Sequence, residues 1–158
     1  PGVAGTPTGV GSSARSATDV PNSAEHALPA AMVAVVALSH GRADEVFALD
    51  ARLKMPTAQD DQLLVRVLAT SVNPADAKQR SGNLKLLVRH HFPLILGQDY
   101  AGIVVAVGKR TSRFCMGDEV YGSTAPRNGC SAQFVAVYEG EAQPKPSNLS
   151  WLEAAALP

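Results

Sequence analysis

The sequence is poor in cysteine and in aromatic residues. Cys115 and Cys130 are its two cysteines among 158 residues, aromatic side chains make up 5%, and no CxxC pair exists. Two thiols cannot supply a four-thiolate zinc site. A sequence with only two cysteines, which lack the spacing of metal ligands, is more typical of free thiols in a reducing compartment than of a disulfide framework.

Net charge and long apolar runs are missing as well. The 14 basic and 14 acidic residues balance, so net charge implies no polyanionic partner. The longest apolar run near the start, residues 27–38, contains Pro29 and is too short to span a bilayer. The basic segment 85–91 lacks an aromatic platform and a groove-reading motif, and we expect its His90 and His91 to be exposed loop side chains. The sequence therefore predicts neither a nucleic-acid partner nor a membrane span.

Nucleotide-binding fingerprints are absent from the sequence too. It contains no GxGxxG after a strand and no Walker loop, so neither a dinucleotide fold nor a P-loop is indicated. Hydrophobic residues nevertheless make up 46% of the chain. That proportion is high enough for a compact domain with its own core.

Residues 1–31 differ in composition from the rest of the chain. They are rich in Ser, Ala, Gly and Pro and carry few charges. We expect this segment to be a disordered extension, because it cannot bury enough surface to offset its ordering entropy. Transit peptides are also rich in Ser and Ala and poor in acidic residues, but the one arginine, Arg15, is thin support for that reading. The cytoplasm, the mitochondrion and the plastid all fit.

The rest of the chain reads as a series of short strands. In the clearest of them, residues 63–72, apolar side chains occupy both alternating faces. Glycine, proline and polar residues separate the runs. This pattern predicts a mainly β domain built as a small antiparallel barrel rather than a doubly wound sheet. The predicted strands are residues 32–39, 46–53, 63–72, 100–107, 118–121 and 131–138.

Two short helices interrupt the strands. Asn73-Pro74 is a helix start, since Asn is a good N-cap and Pro suits the first helical position. Gly82 can end that helix in a left-handed conformation, so we predict a helix over residues 75–81. Further on, Ser150 and Glu153 form the pattern of a capping box. It predicts a second helix over the last residues of the sequence.

Four segments carry a family resemblance: NPADAKQRSG, GQDYAGIVVAVG, GDEVYG and PKPSNLSWLEAAALP. In this order and spacing the chain resembles the N-terminal, GroES-like catalytic domain of the medium-chain dehydrogenase/reductase superfamily. Within it the chain is similar to the zinc-free quinone oxidoreductases and alkenal reductases. The resemblance implies a GroES-like antiparallel barrel with one or two short helices over residues 32–150. Residues 151–158 would begin the helix that leads to the family's Rossmann domain, which is absent from this sequence.

The resemblance also implies that no zinc is bound. Zinc-dependent relatives carry a cysteine where this chain has Asn73, and a His-Glu pair where it has Gln98-Asp99. Neither Asn nor Gln is a usual catalytic zinc ligand. Those relatives also have a four-cysteine lobe, where this chain runs through a short loop from Gly122 to Cys130. We therefore expect a metal-free enzyme.

The family transfers hydride from NADPH to a quinone or to the β-carbon of an α,β-unsaturated carbonyl. By resemblance, Lys78 is the candidate catalytic residue, since an ammonium there could stabilise oxyanion charge or contact a cofactor phosphate. Asn73 would lie beside the nicotinamide and the substrate. Asp76, Gln98 and Tyr121 are the further candidates for binding the substrate or the cofactor.

Each candidate also has a structural explanation. Asn73 would in any case cap its helix, and Lys78 suits a solvated helix face. Asp76 favours a helix N-terminus. Gln98 can serve only to fix its loop, and Tyr121 is a typical core residue. Residue type alone does not choose between the two kinds of role.

Two functions are open at this point. The first is the N-terminal part of an NADPH-dependent quinone or enone reductase. NADPH would then be bound mainly by the missing domain, and a homodimer would form through that domain. The second is a non-catalytic GroES-like subunit or docking module that meets a protein partner in a larger assembly.

Overall fold

The computed structural model describes residues 28–86 and 89–158. The extension predicted over residues 1–31 therefore lies almost entirely outside the described residues. Among the described residues, no helix has both the length and the apolar character needed to cross a membrane.

Short strands account for most of the regular structure. Their bounds are β1 (Ala31–Ala37), β2 (Phe47–Lys54), β3 (Gln62–Thr70), β4 (Leu94–Ile95), β5 (Asp99–Val107), β6 (Glu119–Ser123), β7 (Phe134–Tyr138) and β8 (Ala142–Pro144). The helices are short as well, and a 3-10 turn precedes β8. Their bounds are α1 (Ala43–Val46), α2 (Pro74–Ser81), the 3-10 turn (Glu139–Glu141) and α3 (Trp151–Ala155).

The strands form two antiparallel sheets. One has the order β2-β1-β4 and the other has the order β7-β3-β5-β6-β8. The segment before β7 joins them, because the amide of Val35 donates to the carbonyl of Ser131 and the amide of Gln133 donates to the carbonyl of Val33, both at 2.9 Å. The predicted mainly β antiparallel barrel with short helices is confirmed. The predicted strand 131–138 starts later, at Phe134, because residues 131–133 cross to β1 instead.

The core lies on both sides of β3. Leu63 and Val65 are fully buried in the main cluster of the larger sheet. Leu64, which points to the other face, is buried against Met32 and Phe134 in a second cluster. A strand covered on both faces explains why its apolar residues do not alternate with polar ones.

Close backbone approach explains three glycines of the family motifs. A Cβ on Gly102 would lie 2.1 Å from the carbonyl oxygen of Arg66, and one on Gly108 would lie 2.0 Å from that of Gln59. Gly97 has a φ of 85°, in the left-handed region. These three glycines therefore occupy turn and close-packing positions.

Candidate functional site

A cavity of about 660 Å³ lies between β1, the start of β2, the end of β3, helix α2 and the segment that precedes β7. Its walls are mainly apolar. The large apolar side chains that line it are Val33, Val35, Phe47, Leu49, Val67, Leu68, Val72 and Leu96. Two charged residues, Asp76 and Arg80, are part of the lining. A cavity of this size and character suits a small, largely apolar molecule with a polar group.

Helix α2 forms one side of the cavity, and Asp76 fixes its N-terminus. The Asp76 side chain is buried. Its Oδ2 accepts a hydrogen bond from the amide of Asn73 at 2.8 Å, and its Oδ1 accepts one from the amide of Gly97 at 3.0 Å. Asp76 therefore braces the helix start against the loop before β5. This is the dipole-satisfying role, although the residue also lines the cavity.

A polar node lies at the start of the same helix. Asn73 occupies the N-cap position, and its side-chain Nδ2 donates to Oδ2 of Asp99 at 2.5 Å. The hydroxyl of Ser71 donates to the same oxygen at 2.7 Å. Asp99 is buried, with 4% of its surface exposed. We call Ser71, Asn73 and Asp99 the rim node, since Ser71 is part of the cavity lining and the other two residues are not.

The sequence predicted Gln98 as a site residue and did not predict its neighbour Asp99. The pairing of the strands is the signal that could have identified Asp99. Since β3 and β5 are antiparallel with Thr70 opposite Tyr100, the first residue of β5 lies beside the residues that follow β3. Asp99 therefore meets Ser71 and Asn73.

Gln98 acts through its backbone in this structure. Its carbonyl oxygen accepts hydrogen bonds from the amide of Thr124 at 2.8 Å, from the Thr124 hydroxyl at 3.1 Å and from the thiol of Cys130 at 3.2 Å. Its half-buried side chain is not part of the described cavity lining. These contacts agree with a loop-fixing role, and a ligand contact of Gln98 stays a prediction.

Lys78 and Tyr121 both lie away from the described cavity lining. Lys78 is exposed on helix α2. Tyr121 is half-buried and packs with Trp151 against a small cluster that includes Ala69 and Ala101, where α3 meets the sheet. The roles predicted for these two side chains in substrate or cofactor chemistry stay predictions.

The two cysteines differ in environment. Cys115 is exposed, whereas Cys130 is fully buried and lines the cavity. Burial raises the pKa of the Cys130 thiol to about 12, so at neutral pH it is a protonated donor to Gln98 and not a nucleophile.

The rings of His40 and His90 pack together near the C-terminal end of α2. This contact corrects one prediction. His91 is exposed as expected, but His90 is half-buried, with its ring 5.5 Å from that of His40. His90 Nε2 donates to Oε1 of Gln79 at 3.2 Å. Burial and the neighbouring His40 lower the pKa of His90. The prediction of an exposed loop residue was wrong for His90, because residues distant in sequence pack around it.

The residues in the zinc-ligand positions do not fit a zinc ion. Asn73 and Gln98 supply no usual zinc ligand, and Oδ2 of Asp99 already accepts from Asn73 and Ser71. Within residues 28–86 and 89–158, no group of three or more His, Cys, Asp or Glu side chains lies close enough together to hold a metal ion.

Comparison with known families gives a match over residues 59–147 to the alcohol dehydrogenase GroES-like domain. This chain belongs to that family. The match contains the end of β3, helix α2, the rim node and Cys130, so the cavity is built largely from the family's own domain.

Curated relatives of this domain are oxidoreductases. The chain is 37% identical over 138 residues to 2-methylene-furan-3-one reductase of Solanum lycopersicum, which covers 83% of this chain and 35% of that protein. It is 34% identical over 157 residues to the chloroplastic NADPH-dependent alkenal/one oxidoreductase of Arabidopsis thaliana, which covers 94% of this chain and 40% of that protein. The chain therefore spans well under half the length of the relatives it matches.

A solved structure agrees with the sequence comparison. The quinone oxidoreductase of Coxiella burnetii superimposes with a TM-score of 0.71 at 31% identity, covering 81% of this chain and 41% of that one. The GroES-like fold is thus established by sequence and by structure. The family to which the chain belongs is one of oxidoreductases.

Proposed function

We propose that this chain is the substrate-side domain of an NADPH-dependent oxidoreductase. It would transfer hydride to a quinone or to the β-carbon of an α,β-unsaturated carbonyl without a metal. The observation that carries the proposal is the apolar cavity with the rim node at its edge, in a chain whose relatives include an alkenal/one and a quinone oxidoreductase.

The rim node supports binding of one end of the cofactor. Ser71 lines the cavity and the side-chain amide of Asn73 lies beside its hydroxyl, and the buried carboxylate of Asp99 holds both groups. Such groups fit the carboxamide of a nicotinamide, which both donates and accepts hydrogen bonds. The sequence has no glycine-rich dinucleotide motif, so the rest of the cofactor would be held by a nucleotide-binding domain predicted to follow residue 158.

The cavity walls support the choice of substrate. Bound NADPH would supply the hydride. The apolar side chains around Phe47, Leu49 and Val67 would exclude water and hold the flat body of a quinone or enone. Reduction then requires one proton from solvent, at the α-carbon of an enone or at the oxygen of a quinone.

The absence of a metal step is part of the proposal. Asn73 and Gln98 are not zinc ligands, and the Asp99 carboxylate is used inside the rim node. Hydrogen-bond donors and cations at the cavity would have to stabilise developing oxyanion charge instead. Lys78 is the cation predicted for this task.

The test uses the natural full-length protein. We expect it to oxidise NADPH in the presence of a simple quinone or an alkenal, followed by NADPH absorbance, and to keep that activity after treatment with a strong chelator. Asn73→Ala should lower kcat/KM by about tenfold or more, because a positioned polar contact is lost. A folded protein that reduces neither class of compound would refute the proposal, and a loss of activity to the chelator would refute its metal-free part.

A further inference from the structure

Helix α2 carries two basic side chains that face different surroundings. Residues two positions apart on an α-helix do not share a face, and Lys78 and Arg80 follow this rule. Arg80 lines the cavity together with Asp76 and Ala77, whereas Lys78 is exposed. Among the described residues, the positive charge in the cavity lining is therefore that of Arg80.

Arg80 is held firmly in place. Its carbonyl oxygen accepts hydrogen bonds from the amide of Gly41 at 3.1 Å and from Nδ1 of His40 at 3.3 Å. Its guanidinium donates through Nη1 to the carbonyl of Gly41 and lies 6.0 Å from the centre of the Phe47 ring. A guanidinium has five N–H donors, so donors remain for a ligand after the bond to Gly41.

The surroundings of Arg80 increase the value of a contact with an anion. Asp76, the other charged residue of the lining, already uses both oxygens on the amides of Asn73 and Gly97. On the cavity side the walls near Arg80 are apolar, including Phe47, whereas Asp44 and Glu45 lie with it around a separate surface depression. A charge-assisted hydrogen bond is stronger in such a setting than in water.

We propose that Arg80 is the residue that determines substrate specificity in this cavity, and that it selects apolar molecules that carry an oxyanion such as a carboxylate. The proposal rests on the proposed function for the reaction itself and assigns the ligand-facing cation to Arg80 rather than to Lys78. It places the substrate's charged end beside helix α2 and the body against the apolar walls.

The experiment compares two ligands that differ in one charge. β-Benzoylacrylic acid is an enone with a carboxylate, and its methyl ester is neutral. Calorimetric titration of each into the full-length protein without NADPH, in a Cys115→Ser background that removes the exposed thiol, measures binding separately from turnover. We expect wild-type protein to bind the acid roughly tenfold more tightly than the ester, the effect of one hydrogen bond to a charged group.

Three variants locate the charge. Arg80→Met keeps the aliphatic bulk and should bind the two ligands with equal affinity. Lys78→Met removes the same charge from the other side of the helix and should keep the preference for the acid. Arg80→Lys should keep part of it, since the charge stays and the planar fork is lost. Thermal unfolding of each variant shows whether it is folded.

Clear outcomes would overturn the proposal. The proposal is overturned if wild-type protein binds the ester as tightly as the acid. This result needs no variant, so it stands even if Arg80→Met does not fold. A preference that is lost in Lys78→Met but kept in Arg80→Met would return the role to Lys78. Failure of the proposed function is a separate result: the protein would then show the Arg80-dependent preference and yet reduce no quinone or enone with NADPH.

Discussion

The side-chain amide of Asn73 donates a hydrogen bond to the buried carboxylate of Asp99 across 2.5 Å. The bond joins the first residue of β5 to the cap of helix α2. Ser71 donates to the same oxygen at 2.7 Å. The orientation of Asn73 at the cavity edge therefore depends on Asp99.

Substitution of Asp99 tests how much stability the rim node provides. Asp99→Leu removes the shared acceptor and leaves two donors unpaired, so we expect the free energy of unfolding to fall by about 1–3 kcal/mol. Asp99→Asn keeps an oxygen that can accept from Ser71 and Asn73, and should lose less. Urea denaturation measures both. Equal losses in the two variants would show that charge, and not the shared acceptor, holds the node together.

Lys145 fixes the approach to helix α3. Its side chain is 6% exposed, and its ammonium donates to the carbonyl of Leu149 at 2.9 Å and pairs with Glu119 at 3.1 Å. The ammonium also lies 4.9 Å from the ring centre of Trp151. Lys145→Met should lower the free energy of unfolding by about 1–3 kcal/mol, because the part-buried carbonyl of Leu149 loses a charged donor.

Trp151 reports on this change directly, since it is the single tryptophan of the sequence. In Lys145→Met we expect its fluorescence emission to shift to longer wavelength as the ring becomes more hydrated. Lys109→Met, at an exposed position, is the matched control and should leave the emission unchanged. An unshifted spectrum in Lys145→Met would mean that α3 packs without the lysine.

The two thiols should react very differently with an alkylating reagent. The thiolate is the reactive form, and burial raises the pKa of Cys130 to about 12. Cys115 is exposed. At neutral pH we expect one label per native chain and two after denaturation, counted by intact mass. Cys115→Ser should remove the native label, and persistent labelling in that variant would contradict the buried state of Cys130.

His90 should make the domain less stable in weak acid. Burial and His40 lower the pKa of its imidazole, so the unfolded chain binds a proton more readily than the folded one. The stabilisation that neutral His90 contributes is fully present above the ordinary histidine pKa of about 6.5. It is lost as the pH falls from there through the lower pKa of His90 in the folded state. Urea denaturation between weakly acidic and neutral pH should therefore show a slope that His90→Asn reduces.

The neighbouring histidine is the control for this pH dependence. His91 is exposed, and His91→Asn should leave the slope of stability against pH as it is in the wild type. Equal slopes in wild type and His90→Asn would show that the imidazole is accessible in both states.

Local signals were sufficient for the longer elements of this fold, but they did not predict the short α1, β4 and β8. Asn73-Pro74 and Gly82 predicted a helix over residues 75–81, and the structure places α2 at Pro74–Ser81 with Gly82 left-handed. The β-branched runs predicted the main strands within a few residues at their ends. These features depend on neighbouring residues alone, which a single sequence contains.

Contacts between distant segments were not available from the sequence in the same way. The meeting of Asn73 with Asp99 depends on the register of β3 against β5. The choice between Lys78 and Arg80 depends on how α2 is rotated about its axis when it packs against residues 40–41 and Gly97. Composition and spacing do not encode that rotation, so the family resemblance pointed to Lys78 whereas Arg80 lines the cavity.

The hydrogen bonds between β1 and residues 131–133 have a consequence for synthesis on the ribosome. Val33 and Gln133 are 100 positions apart, and their hydrogen-bonded segments both line the cavity. The nascent chain cannot close the barrel until Gln133 has left the exit tunnel. During that interval the apolar side of β1 has no permanent neighbour. Chaperone protection of this early strand is therefore expected to matter more than protection of the strands made last.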